Sequence, residues 1–215
     1  RRTRPAAPTK RRGPPQARAT MDIGLFGGSF NPPHVANLVV AEVVRDQFDL
    51  AEVWWIPNAT PPHKPNSELA AVNHRLAMTR RVAGPNPNFR VCDLEVQREG
   101  VSYTVETLRI LQEQYPETEF GLIIGSDSLD HFGEWHRPDE IAARVTLIVY
   151  KRPGTLEAVA VPRFANQVRY VAAPVMEVSG TEVRARRRAG RSIRYLVPGA
   201  VRTYITDHGL YRGAA

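Results

Sequence analysis

Short apolar runs alternate with longer amphipathic segments along most of this chain. The runs of strand length fall at 22–26, 52–56, 89–93, 120–125, 145–150 and 168–173. Segments with a helical spacing of apolar residues fall at 35–47, 73–83, 104–115, 137–143, 157–165, 181–190 and 198–208. This alternation predicts βαβ units and a parallel sheet with helices on both faces. We therefore predict an α/β fold with a doubly wound parallel sheet, in which ligands bind beyond the carboxyl ends of the strands.

The composition is that of a globular domain with a hydrophobic core. Its 215 residues are 42% hydrophobic, which is enough for one large domain with a proper core. No apolar run approaches the roughly 18 residues that a membrane span needs, and we find no secretory hydrophobic region. Cys92 is the single cysteine, which excludes an internal disulfide and suits a reducing compartment. We expect a cytoplasmic protein with no membrane partner.

The net charge of +7 comes from the first twenty residues. Seven of the 29 basic residues lie in 1–20, which contain no acidic residue, so 22 basic and 22 acidic residues remain in 21–215. The first twenty residues also contain four prolines and almost no large apolar side chain, so we predict a disordered basic tail. We assign 21–215 to a single domain and expect no specific nucleic-acid partner. A weak contact of the tail with RNA or acidic surfaces is the alternative.

A glycine-rich turn follows the first apolar run. It reads Gly27-Gly28-Ser29-Phe30-Asn31-Pro32-Pro33-His34 and leads into the first helical segment. Adjacent glycines let the backbone approach a phosphate closely, and the first turn of a helix offers N–H groups and a positive dipole end to an anion. His34 adds a side-chain donor that can also carry charge. The sequence predicts a nucleotide site here, with a tight turn and an incidental histidine as the alternative.

A second anion-binding turn precedes the segment at 181–190. Ser179, Thr181 and Arg184 place two hydroxyls and a guanidinium at the start of a basic helix, after an apolar run. With both turns in view, the chain resembles the bacterial nicotinate-nucleotide adenylyltransferases, of the nucleotidyltransferase superfamily that carries HxGH and SxTxxR signatures. The resemblance runs from about Asp22 to Tyr211 and implies a Rossmann-like fold.

The resemblance implies a reaction and its ATP site. A mononucleotide phosphate attacks the α-phosphorus of ATP and pyrophosphate leaves, so that catalysis is positioning plus charge stabilisation. His34 and Arg184 would be the catalytic residues. Mg²⁺, bound mainly by the triphosphate, is the expected cofactor, and no metal site of the protein itself is expected. The residues expected to bind ATP are Gly27, Gly28, Ser29, Phe30, His34, Asn37, Gly125, Asp127, Ser179, Thr181 and Arg184.

The mononucleotide would lie against the loop after the second strand. This loop is stiffened by prolines and has a cationic tip, His63-Lys64, suited to a phosphate. On composition alone, a solvated charged loop with no substrate contact is equally well supported. The resemblance favours substrate binding by Asn58, His63 and Lys64. Arg75, at the start of the next helical segment, is a weaker basic candidate.

The pyridine ring would be recognised elsewhere. Tyr103 and Thr104 open a helical segment, where a Ser or Thr is first of all a cap. The resemblance implies that the backbone there holds the nicotinate carboxylate and that Trp135 stacks on the ring. The expected partners are thus ATP and nicotinate mononucleotide, together with a homo-oligomer, often a dimer.

Two other features follow the fourth and fifth strands. Asp127 resembles the sugar-binding aspartate of the family, with a helix cap as the alternative. His131 and His136 near Asp127 could suggest zinc, but they have no cysteine partners and fit no tetrahedral spacing. Lys151 and Arg152 end the fifth strand, facing either ATP or solvent.

One departure from the family is serious. HxGH falls on His34-Val35-Ala36-Asn37, so that alanine replaces glycine and asparagine replaces the second histidine. Asparagine still donates a hydrogen bond but carries no charge, which predicts reduced activity without its loss. Two alternatives therefore stay open. One is another transferase of the superfamily, acting on pantetheine phosphate or making cytidylyl products, and the other is a degenerate nucleotide-binding or RNA-contacting protein.

Overall fold

A computed structural model describes residues 21–60, 69–98, 100–154 and 162–213. Its sheet has six strands, all paired in parallel, in the order β3-β2-β1-β4-β5-β6. The strands are β1 (Ile23–Gly28), β2 (Glu52–Pro57), β3 (Phe89–Val91), β4 (Phe120–Gly125), β5 (Thr146–Tyr150) and β6 (Val168–Val171). This is the doubly wound order expected of a Rossmann-like fold, and it confirms the predicted fold class.

The helices connect these strands. They are α1 (Val35–Phe48), α2 (Val72–Ala83), α3 (Leu94–Gln97), α4 (Thr104–Gln114), α5 (Ser126–Asp130), α6 (Pro138–Arg144), α7 (Gly180–Arg188) and α8 (Gly199–Asp207). An α-helix was predicted at 157–165, and residues 155–161 lie outside the described part of the chain. For the rest of that segment the prediction is wrong, because Pro162–Gln167 form a 3₁₀ helix. A proline with no N–H to donate suits such a short element.

Neighbouring side chains along each central strand enter two different cores. Leu25 and Trp54 pack on the side of α4 and α6, whereas Phe26 and Trp55 pack on the side of α1, α2 and α8. Successive side chains of a strand point to opposite faces, so a strand buried on both faces reads as the continuous apolar run seen in the sequence. The two cores fix the sheet rigidly between its helix layers.

The chain order reverses between β1 and β4, which are adjacent although they are far apart in sequence. Loops that follow these two strands diverge to opposite faces and leave a crevice at the carboxyl edge of the sheet. The glycine-rich turn follows β1, and Asp127 follows β4. The fold therefore brings these two predicted elements to one place.

Among the described residues, no helix combines the length and the apolar character that crossing a bilayer requires.

Candidate active site

A pocket of about 440 Å³ opens at this crevice. It brings together four residues predicted from sequence to bind ATP, which are His34, Asn37, Asp127 and Ser179. Lys151 and Arg152, which were predicted to face either ATP or solvent, also line the pocket. The remaining lining comes from residues that the sequence analysis had not assigned to ATP, namely Ala36, Val40, Tyr150, Pro153, Pro174, Met176, Glu177 and Val178.

His34 lies just before α1 and is only 6% exposed. Burial, and then the positive charge of Arg152, lower the pKa of His34 from 6.5 to about 4. The buried Nδ1 atom of the ring has no hydrogen-bond partner within the described part of the chain. The expectation that His34 can carry charge therefore needs correction, because in the free protein it is a neutral side chain at neutral pH.

Asn37 helps to cap the N-terminus of the same helix, α1. Its Oδ1 atom accepts a hydrogen bond from the backbone N–H of His34, at 3.0 Å, so the carboxamide caps α1 as the last residue of a capping box does. Because Oδ1 caps the helix, the Nδ2 group is the part of the carboxamide that can donate to a ligand in the pocket. Asparagine therefore has a structural function here that the sequence comparison with HxGH did not anticipate.

The glycine-rich turn divides into an open part and a packed part. A Cβ atom on Gly27 would meet nothing within 4 Å, whereas one on Gly28 would lie 3.2 Å from the Phe30 ring. Phe30 has a φ of 44° and is buried, with its ring centroid 5.2 Å from that of Trp55. The structure thus places Phe30 in the core rather than among the residues that line the pocket, and Ser29 offers its carbonyl to an arginine.

That arginine is Arg75, which is 1% exposed and makes four hydrogen bonds to backbone carbonyls. Its acceptors are the carbonyls of Ser29, Asn58, Ala59 and Ala70, at 2.6 to 3.0 Å. These bonds use four of the five N–H groups of the guanidinium, so no pair of donors is left for a bidentate contact with a phosphate. The interpretation of Arg75 as a substrate-binding candidate is therefore corrected, since it ties the β1 loop to the β2 loop.

Asp127 and Arg152 form an ion pair at the mouth of the pocket. Arg152 Nη1 donates to Asp127 Oδ2 at 2.9 Å, and the pair passes over Gly125, where a Cβ atom would collide with both side chains. This explains the glycine at the end of β4. Asp127 Oδ1 is buried against Gly125 without a partner in the described residues, while the side chain as a whole is 47% exposed.

The second motif lies at the start of α7. Ser179 caps this nine-residue helix, its Oγ atom accepting from the Glu182 N–H at 3.1 Å. Arg184 is 7% exposed, and its guanidinium donates to the Asn31 carbonyl at 2.9 Å and to Thr181 Oγ1 at 3.3 Å. The structure thus joins the two motifs that the sequence places about 150 residues apart.

The mononucleotide side is described in part. His63 and Lys64 lie outside the described residues. Asn58 follows β2, and its buried Oδ1 atom has no partner among the residues described. Ser102 joins this loop to the start of α4, because its Oγ atom accepts from the Ala59 N–H at 3.1 Å.

The pyridine-binding candidates are adjacent in space. Tyr103 precedes α4 and Thr104 begins it, with no side chain capping the helix, which corrects the expected Ser or Thr cap. The rings of Tyr103 and His136 lie 4.4 Å apart, so the start of α4 meets the loop that contains Trp135. Trp135 is half-buried, with its ring centroid 5.3 Å from that of Phe132.

Histidine and acidic side chains near Trp135 do not cluster. His131 faces Glu134 at 3.4 Å, both well exposed. In the described ranges, no three His, Cys, Asp or Glu side chains come together as a metal site.

Comparison with known proteins agrees with this geometry. The cytidylyltransferase-like family model matches residues 25–186. A Salinibacter ruber protein named "Probable nicotinate-nucleotide adenylyltransferase" is 78% identical over 192 residues, covering 89% of this chain and 98% of that protein. A protein of the same name from Geobacillus kaustophilus is 42% identical, covering 88% of this chain and 85% of its own length.

A solved structure shares the fold. The nicotinic acid mononucleotide adenylyltransferase of Plasmodium falciparum, complexed with NaAD, superposes with a TM-score of 0.76 at 20% identity, over 89% of this chain and 97% of that one. At this identity the likeness concerns the fold alone. The two bacterial relatives and the family model show that the chain belongs to the nicotinate-nucleotide adenylyltransferase family, within the cytidylyltransferase-like proteins.

Proposed function

We propose that this chain transfers AMP from ATP to nicotinate mononucleotide, giving nicotinate adenine dinucleotide and pyrophosphate in NAD biosynthesis. The observation that carries the proposal is the convergence of His34, Asn37, Asp127 and Ser179 on one pocket at the reversal of strand order. Relatives at 78% and 42% identity bear the name of this activity.

The reaction needs no protein nucleophile. A phosphate oxygen of the mononucleotide forms a bond to the α-phosphorus of ATP, and the bond from that phosphorus to the β-phosphate oxygen breaks. Negative charge grows on the oxygens around the α-phosphorus, and preorganised donors stabilise it. Neutral His34 donates a hydrogen bond to these oxygens, and Asn37 Nδ2 supplies a second, uncharged donor.

Arg184 supplies the fixed positive charge. We assign the β- and γ-phosphates to the start of α7, where Ser179, Thr181 and Arg184 meet and where the helix dipole favours anions. Gly27 leaves open space for the nucleotide to approach the backbone. The Asp127 carboxylate accepts from a ribose hydroxyl, and Lys151 adds charge at the rim.

Mg²⁺ in this proposal travels with ATP, whose phosphate oxygens are the hard ligands that it prefers. Bound to the triphosphate, it would neutralise part of the negative charge there. Cytoplasmic location and a homo-oligomeric state stay predictions, as does the assignment of 1–20 to a separate basic tail.

The mononucleotide lies on the other side of the α-phosphorus. Asn58 Oδ1 accepts from its sugar, and His63 with Lys64 binds its phosphate. The nicotinate carboxylate points at the uncapped start of α4, at Tyr103 and Thr104, where first-turn N–H groups and the dipole favour an anion. Trp135 provides a flat apolar surface for the pyridine ring.

A turnover assay tests the proposal. Purified protein is supplied with Mg²⁺, either ATP or CTP, and one acceptor at a time from a panel of nicotinate mononucleotide, nicotinamide mononucleotide, phosphopantetheine and choline phosphate, with pyrophosphate release as the readout. Preferred use of ATP with nicotinate mononucleotide supports the proposal. Preferred use of another pair identifies a sister transferase, and no turnover with any pair supports the binding-protein alternative. A His34→Ala protein, prepared identically, shows whether the turnover arises in this pocket.

A further inference from the structure

Asn31 occupies the point where the ATP side and the mononucleotide side of the site meet. It lies in the glycine-rich turn and is 4% exposed. Its backbone carbonyl accepts from Arg184 Nη1 at 2.9 Å. Its side-chain Oδ1 accepts from the Ala70 N–H at 3.0 Å, at the far end of the loop after β2. Asn31 thus contacts Arg184 on the ATP side and Ala70 in the loop on the mononucleotide side.

Ala70 is held from both directions. Its N–H donates to Asn31, while its carbonyl accepts from Arg75 Nε at 3.0 Å. Arg75 also donates to the carbonyls of Asn58 and Ala59, at the near end of the same loop. Both ends of the loop that carries the mononucleotide candidates are therefore fixed to one buried guanidinium, and Asn31 links this assembly to the glycine-rich turn.

A second donor reaches Asn31 from a distant part of the sequence. The Tyr211 hydroxyl donates to Asn31 Oδ1 at 2.8 Å, across 180 residues. Burial raises the pKa of Tyr211, against the smaller opposing effect of Arg184 and Arg75, so the hydroxyl keeps its proton and stays a donor. A carbonyl oxygen has two lone pairs, and in Asn31 the Ala70 N–H and the Tyr211 hydroxyl fill both.

We propose that Asn31 and Tyr211 are positioning residues for adenylyl transfer. The Tyr211 hydroxyl holds the Asn31 carboxamide in one orientation, and through it the turn that supports Arg184 keeps its distance from the loop that ends at Ala70. Neither residue needs to touch a substrate. This inference rests on the proposed function, because the two sides it holds together are those of ATP and the mononucleotide.

Two effects follow from fixing this distance. The mononucleotide phosphate must reach the α-phosphorus within a near-attack distance, and small misplacements of bound groups reduce the rate strongly. Loosening the link should therefore lower kcat more than it raises the KM of either substrate. A purely structural role would instead lower the melting temperature or the fraction of molecules that bind ATP.

The test is a double-mutant cycle with Tyr211→Phe and Asn31→Ala, measured on the full-length chain with ATP and nicotinate mononucleotide. Tyr211→Phe keeps the packed ring and removes one hydrogen bond, so we expect kcat to fall about three- to tenfold. Asn31→Ala removes the acceptor of both the Ala70 N–H and the Tyr211 hydroxyl, so a larger fall is expected, about 10²-fold. In the Asn31→Ala background, Tyr211→Phe should have no further effect, because its partner is gone.

Controls separate the outcomes. Tyr195→Phe removes a hydroxyl from a side chain that is 82% exposed, and it should match the wild type. Calorimetric titration with a non-hydrolysable ATP analogue should give the wild-type stoichiometry for Tyr211→Phe. Equal effects of Tyr211→Phe in both backgrounds, an unchanged kcat, or a reduced stoichiometry would each overturn the proposal. Failure of the wild type to adenylylate nicotinate mononucleotide would refute the proposed function instead.

Discussion

The carboxamide of Asn37 accepts from the backbone N–H of His34 with its oxygen, at 3.0 Å, and leaves its nitrogen for the pocket. One side chain therefore both caps α1 and offers a donor to a ligand. The position of the second histidine in the HxGH signature is thus filled by a residue that binds the backbone of the first, His34. Its two functions can be separated by substitution.

Asn37→His is expected to raise kcat/KM for adenylyl transfer by about tenfold, because a chargeable donor would face the transferring phosphate and 1.4 kcal/mol corresponds to one decade. The same change removes the cap oxygen, which is worth about 1 kcal/mol, so the melting temperature should fall slightly. Steady-state kinetics and thermal unfolding measure the two effects. Lower activity would mean that the pocket has adapted to asparagine.

Asn37→Asp is the matched variant, since it keeps the cap acceptor and loses the donor. It should fold as well as the wild type and lose at least tenfold in kcat/KM, because a carboxylate repels the phosphates. Unimpaired turnover in this variant would show that Nδ2 does not contact the substrate.

His34→Ala should reduce kcat by roughly 10²–10³, the scale for losing one preorganised donor. The melting temperature should change little by comparison. His131→Ala, at an exposed histidine, serves as the control and should retain wild-type rates. If kcat is unchanged in the His34 variant, the catalytic assignment of this residue fails.

Stability should depend on pH through His34. Its pKa is about 4 in the folded protein against 6.5 when solvated, so the unfolded state binds the proton more tightly and stability falls as the pH drops from about 6.5 to 4. The total loss is about 3 kcal/mol, given 1.36 kcal/mol per pKa unit. His34→Gln should flatten this part of the profile in urea unfolding, and an equal slope in both proteins would contradict the buried, neutral state.

Nicotinate mononucleotide should exceed nicotinamide mononucleotide by at least tenfold in kcat/KM. A carboxylate gains from the uncapped start of α4, whereas a carboxamide turns N–H groups toward N–H groups, a mismatch of about 1–3 kcal/mol. Trp135→Ala should weaken both substrates without reversing their order and without changing the KM for ATP. Equal use of the two mononucleotides would refute the carboxylate argument.

Arg75→Met should destabilise the fold by about 3 kcal/mol or more, because four backbone carbonyls lose their buried donor. Arg80→Met is the control, since the Arg80–Asp93 pair is largely exposed and surface pairs contribute about 0–1 kcal/mol. The difference between the two unfolding free energies in urea is the measurement. Similar values would show that the Arg75 contacts contribute little.

Local patterns predicted most of the fold. Apolar runs such as 120–125 match their strands because both faces are buried, and the helical spacing at 35–47 matches α1 within one residue. The short helices α3 and α5 were not predicted, because four or five residues are too few to show a helical period. The 3₁₀ helix at Pro162–Gln167 was mistaken for part of an α-helix, because the spacing of apolar residues over so short a segment does not separate the two helix types.

The site was predictable only where its residues are close in sequence. His34 and Ser179 stand in recognisable turns, but the neutral state of His34 depends on burial and on Arg152, which lies 118 positions away. The structural role of Arg75 depends on four carbonyls from three segments. Such contacts carry no local signal, because backbone acceptors look alike at every position of a sequence.

The position of β1 in the middle of the sheet also constrains how the protein folds. As the chain is synthesised, β1 can pair with β2 soon after both emerge, but its other edge stays open until β4 appears about a hundred residues later. Closing so long a loop slows folding and leaves an apolar strand edge uncovered in the meantime. Since the crevice lies beside the junction of β1 and β4, nascent chains lack the catalytic pocket until the second half of the sheet has docked. ATP would therefore stabilise only molecules that have completed this step.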